Sequence, residues 1–254
     1  MTAWFTTFGV AKPHAASRLL CLPSSGSGST QFRPWLEHLP DIEMHVALLP
    51  GRERRLMDPP IDNLAELIDK LLHQVTRLID RPYFLLGHSM GALIAFELTR
   101  ALAARDLPMP RRLFVSGYRS PERPRRRPDL HQLPDDQFID ALRGYGGTPE
   151  AILAHRETME LLLPMIRADF KLHETHRFQP GAALSVPISA LAGENDCIVP
   201  PDEMVDWKNH SARHFEMHRF PGGHFFIHDA LERVVATLKR RVHDDLVESA
   251  LAVG

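Results

Sequence analysis

The sequence predicts an α/β fold with a mainly parallel central sheet and helices on both faces of the sheet. Short apolar runs of strand type alternate with longer runs in which apolar residues recur at helical spacing. Helical runs of this length are the connections that parallel strands require. The chain has 254 residues, 44% of them hydrophobic, which suffices to fill one large core. We therefore expect residues 1–254 to form a single domain.

The predicted elements alternate regularly until about residue 118. A helix is expected from an N-cap at Asp62 or Asn63, with an apolar stripe that continues to Leu78 and Ile79. The strands expected in this part of the chain are Arg18–Leu22, Met44–Leu49, Tyr83–Leu86 and Arg112–Ser116.

Between about residues 119 and 180 no strand-like run occurs, and helices are expected around Phe138 and from about Glu157 to Phe170. Helices inserted over the strand ends that carry a site have the form of a lid, and we expect a helical lid insertion here. The alternative is a second helical domain with no role in substrate binding. The later elements are a strand at Val186–Gly193, a helix near Pro201–Asn209, a strand near Phe215–Phe220 and a final helix from about Leu231 to Leu246.

The pentapeptide Gly87-His88-Ser89-Met90-Gly91 lies between the third strand and an apolar helical run that continues to about Arg105. Gly-x-Ser-x-Gly between a strand and a helix is typical of a nucleophile elbow, which exposes the serine hydroxyl above the sheet. The glycines are expected where strand and helix come too close for side chains. Elsewhere the same pattern would be a chance loop. Ser89 is the predicted nucleophile.

A serine nucleophile needs a histidine base and a third group that orients the base. His224 follows a predicted strand within Pro221-Gly222-Gly223-His224, and His228 is its nearest competitor. Asp196 follows the preceding strand, and the chain order Ser89, Asp196, His224 suits this fold. Asp196 could instead serve only as a turn or N-cap residue. The other candidate acids are the runner-up Glu194 and the less suitable Asp169, Asp135 and Asp136.

The loop Pro23–Ser29 is rich in serine and glycine and follows the predicted strand Arg18–Leu22. Such a composition also suits a flexible linker. Near a nucleophile elbow it instead indicates an oxyanion hole built from backbone N–H groups. The expected donors are the N–H groups of Met90 and Ser25, with that of Ser24 as the near alternative.

Composition excludes several other classes of function. A net charge of −2 does not favour nucleic acid or a membrane surface as partner, and no apolar run approaches membrane-spanning length. Two cysteines make no disulfide framework, and no signal peptide is evident, so we expect a cytoplasmic protein. His210, His214 and His218 have a spacing that metal ligands use on a helix. Their stretch favours a strand, however, and we expect no metal site.

An arginine-rich run marks the start of the predicted lid. It is expected to be a solvated, proline-stiffened loop, or alternatively a docking patch for an acidic partner or a phosphate-bearing arm. The run consists of Arg119, Arg123, Arg125, Arg126 and Arg127, and Arg111 and Arg112 lie just before it.

Taken together, the sequence resembles the stand-alone type II thioesterases of nonribosomal peptide and polyketide synthases, and also the medium-chain acyl thioesterases of fatty acid synthesis. The likeness spans nearly the whole chain, and its Pro-Gly-Arg and Arg-Ala-Asp-Phe segments are more specific than the elbow. The first loop departs from the family pattern, with Ser25 where the family usually has alanine and Ser27 where it usually has glycine. The segments are Leu22-Pro23-Ser24-Ser25-Gly26, Phe32-Arg33-Pro34-Trp35, Leu49-Pro50-Gly51-Arg52-Glu53-Arg54-Arg55, Gly87-His88-Ser89-Met90-Gly91-Ala92, Leu163-Pro164-Met165-Ile166-Arg167-Ala168-Asp169-Phe170, Gly193-Glu194-Asn195-Asp196 and Phe220-Pro221-Gly222-Gly223-His224-Phe225-Phe226.

This resemblance implies an α/β-hydrolase fold and hydrolysis of acyl thioesters on the phosphopantetheine arm of acyl or peptidyl carrier protein domains, which clears aberrant groups from a synthase. It implies no cofactor of the enzyme itself, since the phosphopantetheine belongs to the substrate, and we expect a monomer. The alternatives are a medium-chain acyl carrier thioesterase, a carboxylesterase or lipase acting on oxygen esters, and a synthase-binding partner without turnover.

Overall fold

The computed structural model describes residues 4–8, 12 and 14–251, and the strands within them form one seven-stranded sheet. The strands lie in the order β1-β3-β2-β4-β5-β6-β7; β1 is antiparallel to β3, and the other neighbouring pairs are parallel. The predicted mainly parallel sheet is confirmed. The strands are β1 (Phe5–Thr6), β2 (Ser17–Leu22), β3 (Ile42–Ala47), β4 (Tyr83–His88), β5 (Leu113–Ser116), β6 (Ile188–Gly193) and β7 (Phe215–Phe220).

Helices cover both faces of this sheet. Leu20 and Leu22 of β2 pack with α1 and α2, whereas Leu19 and Cys21 face the opposite side and pack with α7. This alternation follows from the two-residue period of a strand, and both faces are apolar because both are covered. The α-helices are α1 (Leu64–Val75), α2 (Met90–Ala103), α3 (Asp135–Tyr145), α4 (Glu150–Leu153), α5 (Arg156–Glu174), α6 (Phe226–Asp229) and α7 (Leu231–Leu251).

Two predicted helices differ from the observed ones. Helix α1 begins after the N-cap Asn63, as expected, but ends at Val75. The chain then makes a turn in which the N–H of Leu78 donates to the carbonyl of Val75 (2.7 Å), and Leu78 and Ile79 lie beyond the helix. The predicted helix near Pro201–Asn209 consists of two 3-10 helices, Pro201–Glu203 and Val205–His210.

Helices α3, α4 and α5 lie between β5 and β6, within the predicted insertion. They share a small apolar cluster of their own, which includes Phe138 of α3, Leu153 of α4 and Phe170 of α5. No helix in the described ranges is long and apolar enough to cross a membrane.

The six parallel strands bring the loops that follow them to one edge of the sheet. The loops after β2, β3, β4, β5, β6 and β7 all start at the carboxyl ends of these strands. Ligands of open parallel sheets bind at this edge. The segments that contain Ser25, Ser89, Asp196 and His224 therefore meet there, although they are far apart in the sequence.

Candidate active site

Ser89 occupies a strained turn between β4 and α2. Its backbone has φ 54° and ψ −123°, a combination that a residue with a side chain seldom adopts. The N–H of Ser89 donates to the carbonyl of Ser116 at the end of β5 (2.7 Å), which holds the turn against the sheet. A side chain at Gly87 would overlap the backbone of Gly91, and one at Gly91 would overlap the carbonyl of Leu22. The geometry is that of the predicted nucleophile elbow.

Ser89, His224 and Asp196 form a continuous hydrogen-bonded chain. The Oγ of Ser89 lies 3.0 Å from Nε2 of His224, and Nδ1 of His224 lies 2.8 Å from Oδ2 of Asp196. Only 4% of the His224 side chain and none of the Asp196 side chain is exposed, so bulk water does not compete for these bonds. Ser89 itself is half-buried and reaches the cavity described below.

The carboxylate of Asp196 also has the role of a turn residue, which was the alternative interpretation of the sequence. Its Oδ1 accepts the N–H groups of Ile198 (2.8 Å) and Val199 (2.9 Å), so one oxygen closes the turn after β6 while the other faces His224. This division fixes the orientation of the carboxylate. Glu194 is exposed, and its side chain is not part of this chain of hydrogen bonds. The competitor base His228 lies in the short helix α6.

The loop after β2 is held by specific contacts and is not a flexible linker. The N–H of Ser24 donates to Oε1 of Gln31 (2.9 Å), so this N–H is already used, whereas no such bond occupies the N–H of Ser25. This favours Ser25 over Ser24 as an oxyanion donor. The left-handed conformation in the loop falls on Gly26 (φ 73°), so serine at position 27 causes no backbone strain.

A buried ion pair fixes the same loop from two sides. Arg52 and Asp169 share two hydrogen bonds, Nη2 to Oδ1 (2.7 Å) and Nη1 to Oδ2 (2.9 Å). Nη1 of Arg52 also donates to the carbonyl of Ser27 (2.8 Å), and Oδ2 of Asp169 accepts the N–H of Gly26 (2.8 Å). Asp169, which fitted poorly as a triad acid, thus positions the loop next to Ser25.

His88 lies directly before the nucleophile and is completely buried. Its Nδ1 lies 2.9 Å from the hydroxyl of Ser116, and its ring centre lies 5.3 Å from that of His224. Burial, followed by the charges of His224 and His228, lowers the pKa of His88 well below its ordinary value. His88 is therefore neutral near pH 7 and does not repel a protonated His224.

A cavity of about 200 Å³ opens onto Ser89 and His224. The loop after β2 forms one part of its wall, and α3 and α5 contribute apolar side chains, among them Leu142, Ile166 and Phe170. A pocket with an apolar wall and a few polar groups at one end is typical of a small-molecule site.

The histidines of the metal hypothesis do not lie on one helix. His210 ends a 3-10 helix and its Nε2 lies 2.5 Å from Glu122, while His218 lies on β7 beside Glu216. Among residues 4–8, 12 and 14–251, no group of three or more histidine, cysteine or carboxylate side chains is arranged to hold a metal ion.

The arginine-rich run does not form one continuous patch. Arg112, just before the run, is buried and bidentate to Asp245 (2.7 Å for both bonds). Arg123 pairs with Asp206, and Arg126 pairs with Glu203. Arg119 and Arg127 line the Ser89 cavity. The run is therefore neither only a solvated loop nor one continuous docking patch.

Residue types and spacing did not reveal the roles of Arg52, Asp169 and Gln31. Asp169 interrupts the apolar stripe of a helix between Ile166 and Phe170, and a charge at a buried position requires a partner. That signal was available in the sequence. The identity of the partner was not, because Arg52 is 117 residues away along the chain.

Comparison with known proteins gives consistent similarities. Residues 17–242 match the model of a family described as thioesterase domain. The chain is 38% identical over 228 residues to the gramicidin S biosynthesis protein GrsT of Aneurinibacillus migulanus, covering 89% of each chain. The structure of the type II thioesterase BorB from the borrelidin biosynthetic cluster has a TM-score of 0.85 and 32% identity, covering 94% of this chain and 98% of that one. YbtT, a type II thioesterase from the yersiniabactin nonribosomal peptide and polyketide pathway, has a TM-score of 0.87 and 27% identity, covering 96% and 99%.

Proposed function

The chain belongs to the thioesterase domain family, and we propose that Ser89, His224 and Asp196 are the catalytic triad with which it hydrolyses acyl thioesters. The observation that carries the proposal is the 3.0 Å approach of His224 Nε2 to Ser89 Oγ inside a partly apolar cavity. A base at hydrogen-bond distance from a serine is what activates a hydroxyl that is a weak nucleophile on its own.

In the acylation step, Nε2 of His224 takes the hydroxyl proton of Ser89 while Oγ forms a bond to the thioester carbonyl carbon. The carbonyl π electrons move to oxygen and return when the carbon–sulfur bond breaks, and the thiolate leaves with the proton from His224. Asp196 keeps Nδ1 of His224 protonated and stabilises the imidazolium. In the second step His224 deprotonates water, which attacks the acyl-enzyme and releases the acid and free Ser89.

The oxyanion is held by the N–H groups of Met90 and Ser25. Met90 begins α2, so its N–H also benefits from the positive end of the helix dipole. The bond from Ser24 to Gln31 and the contacts of Arg52 and Asp169 support the assignment of Ser25, because they fix its neighbours on both sides. Preorganised donors of this kind supply much of the rate enhancement of acyl transfer.

The helical insertion acts as a lid over the acyl group. Ile166 and Phe170 belong both to the small cluster of the insertion and to the wall of the Ser89 cavity, and Asp169 of the same helix bonds the oxyanion loop. These contacts support a lid that is part of a single domain over residues 1–254, as opposed to a separate helical domain. The apolar wall would receive the acyl chain.

The substrates are acyl groups on the phosphopantetheine arm of carrier protein domains, and removal of aberrant or stalled groups serves nonribosomal peptide or polyketide synthesis. The similarity to the type II thioesterases BorB and YbtT and to the gramicidin S biosynthesis protein GrsT supports this assignment. The protein would act in the cytoplasm as a monomer. It would need no cofactor of its own, because the triad and two backbone donors supply all the groups that the reaction requires.

The test is hydrolysis of a panel of acyl carrier proteins, from acetyl to medium-chain acyl groups, together with matched oxygen esters. We expect the wild type to prefer the thioesters and the Ser89→Ala variant to lose activity by about 10³-fold or more. A preference for oxygen esters would favour an esterase, and a strong preference for medium chains would favour the fatty-acid alternative. Full activity of Ser89→Ala would refute the catalytic assignment.

A further inference from the structure

Two arginines of the run that begins the insertion differ from their neighbours in having no acidic partner. Arg123 pairs with Asp206 (2.5 Å), Arg126 with Glu203 (2.8 Å), and Arg125 with Asp129 and with Glu174 (3.3 Å for the latter). Within the described part of the chain, no carboxylate lies at ion-pair distance from the guanidinium of Arg119 or of Arg127. Their charges are therefore available to a ligand.

Neutral groups hold both guanidinium groups in place. Nη2 of Arg127 donates to the carbonyl of Cys197 (3.0 Å), and its Cζ lies 5.5 Å from the ring centre of Tyr145. Nε of Arg119 donates to the carbonyl of Arg123 (3.2 Å), and its Cζ lies 5.3 Å from the ring centre of Tyr118. A guanidinium has five N–H donors, so these contacts orient the groups and leave further donors free.

Both arginines line the cavity that contains Ser89, and the lining has more positively than negatively charged side chains. Its lining has four arginines and, among the described residues, a single carboxylate, Glu203. The chain as a whole has a net charge of −2, so the positive charge is a local property of this site. The charge also affects His173 on the cavity wall: burial, and then Arg125 and Arg119, lower the pKa of His173 to about 3.

The charged and apolar parts of the cavity come from different segments. Leu142, Ile166 and Phe170 of α3 and α5 form the apolar part, which suits an acyl chain. The arginines precede α3, and Arg127 is exposed to solvent at the mouth of the cavity. A negative group that these arginines bind therefore belongs to the part of the substrate that stays at the mouth.

We infer that Arg119 and Arg127 form an anion subsite for the phosphate of the pantetheine arm. The inference rests on the proposed function, in which the acyl end of the arm reaches Ser89 and the phosphate end remains outside. Arginine suits a phosphate because its planar fork donates two parallel hydrogen bonds. Carrier-bound thioesters share this phosphate whatever their acyl group, so such a subsite serves an enzyme that accepts many acyl groups.

The experiment compares two substrates that differ only in this group, acetyl-pantetheine and acetyl-4′-phosphopantetheine. We expect the wild type to hydrolyse the phosphorylated substrate with a kcat/KM about tenfold higher, mainly through a lower KM, since the subsite binds ground state and transition state alike. In the Arg119→Gln/Arg127→Gln variant this ratio should fall to about one. Because both substrates are measured with the same enzyme preparation, partial unfolding of the variant lowers both rates equally and does not alter the ratio.

A charge-matched control is Arg213→Gln/Arg233→Gln, which removes two exposed arginines that do not line the cavity. It should keep the tenfold ratio. Acetyl-carrier protein and acetyl-coenzyme A, measured with the same variants, distinguish the phosphodiester of a carrier arm from the phosphates of a free cofactor.

Three results would overturn the subsite. The wild type could hydrolyse both pantetheine substrates equally, the control could lose the ratio as the variant does, or the variant could keep the ratio and lose activity only on acyl groups with a carboxylate, such as malonyl. In each case the proposed thioesterase function stands. Failure of the wild type to hydrolyse any of these thioesters would instead refute the proposed function.

Discussion

Arg52 and Asp169 join the helical insertion to the loop beside the nucleophile. Arg52 follows β3, Asp169 lies on α5, and their bidentate pair is almost completely buried, with 5% and 3% of the side chains exposed. Because the same two groups bond Gly26 and Ser27, the position of the expected donor Ser25 depends on α5. A displacement of the insertion would therefore also move the oxyanion loop.

Replacement of Asp169 by Asn should lower kcat more than it raises KM. The loop would lose the charge that holds Arg52 and Gly26, and a misplaced oxyanion donor weakens binding of the transition state; we expect a decrease of about 10- to 100-fold in kcat. Breaking a buried ion pair should also lower the free energy of unfolding by about 3–5 kcal/mol. Steady-state kinetics well below the melting temperature, with urea unfolding, measure the two effects separately.

Asp135→Asn is the matched control for that variant. Asp135 begins α3 in the same insertion and pairs with Arg167 (2.5 Å), but 69% of its side chain is exposed. An exposed pair contributes at most about 1 kcal/mol, and kcat should stay at the wild-type value. If Asp169→Asn loses stability while its kcat is unchanged, the buried pair has no positioning role.

Asp196 and Glu194 provide a second matched pair. Asp196→Asn should reduce kcat by about 10³- to 10⁴-fold with little change in KM, because an amide cannot hold Nδ1 of His224 in its protonated tautomer or stabilise the imidazolium. Glu194 is exposed, and Glu194→Gln should behave as the wild type. Measuring kcat and KM of the two variants with one thioester distinguishes the two carboxylates. A comparable loss in Glu194→Gln would make Glu194 the triad acid.

The glycine that ends the elbow should not tolerate a side chain. In Gly91→Ala the new methyl group would overlap the carbonyl of Leu22, which belongs to the backbone of β2 and cannot move without disturbing the sheet. We expect a loss of activity together with a lower melting temperature. Gly144 on α3 has nothing within 4 Å of a new methyl group, so Gly144→Ala should instead stabilise the fold by about 0.5–1 kcal/mol. Equal melting temperatures for the two variants would contradict the close packing of the elbow against β2.

Stability should fall as the pH is lowered through the ordinary histidine range. The pKa of His173 is lowered to about 3, chiefly by burial, and Arg125 and Arg119 act in the same direction. The unfolded chain therefore binds a proton near pH 6.5 that the folded chain binds only near pH 3, and stability is lost progressively between these values.

Between pH 7.5 and 5.5 the His173 contribution amounts to about 1 kcal/mol. His88, whose pKa is also lowered well below its ordinary value, adds an effect of the same sign. Urea unfolding at the two pH values should show a smaller decrease for His173→Phe than for the wild type. An unchanged decrease would mean that His173 is not held neutral in the fold.

Much of the fold, together with the turn that carries the proposed nucleophile, could be predicted because the signals are local. The strand period, the helical stripe after Asn63 and the Gly-x-Ser-x-Gly turn each depend on residues close together in the sequence. The helix predicted near Pro201–Asn209 is present but is divided into two short 3-10 helices, which the residue spacing did not reveal. The end of α1 was also misplaced, because the turn after the helix, and not the helix itself, packs Leu78 against the core.

The sequence by itself determined the class of fold, and it indicated the proposed nucleophile and the order in which the proposed acid and base follow it. Only the tertiary structure favours Ser25 over Ser24 as the proposed donor, because Gln31 occupies the N–H of Ser24. Only the tertiary structure also shows which arginines of the run have carboxylate partners and which do not. The physical reason is the same in both cases. Ion pairs and hydrogen bonds between distant segments depend on which loops the parallel sheet brings to one edge. The spacing of residues along the chain does not show which loops become neighbours.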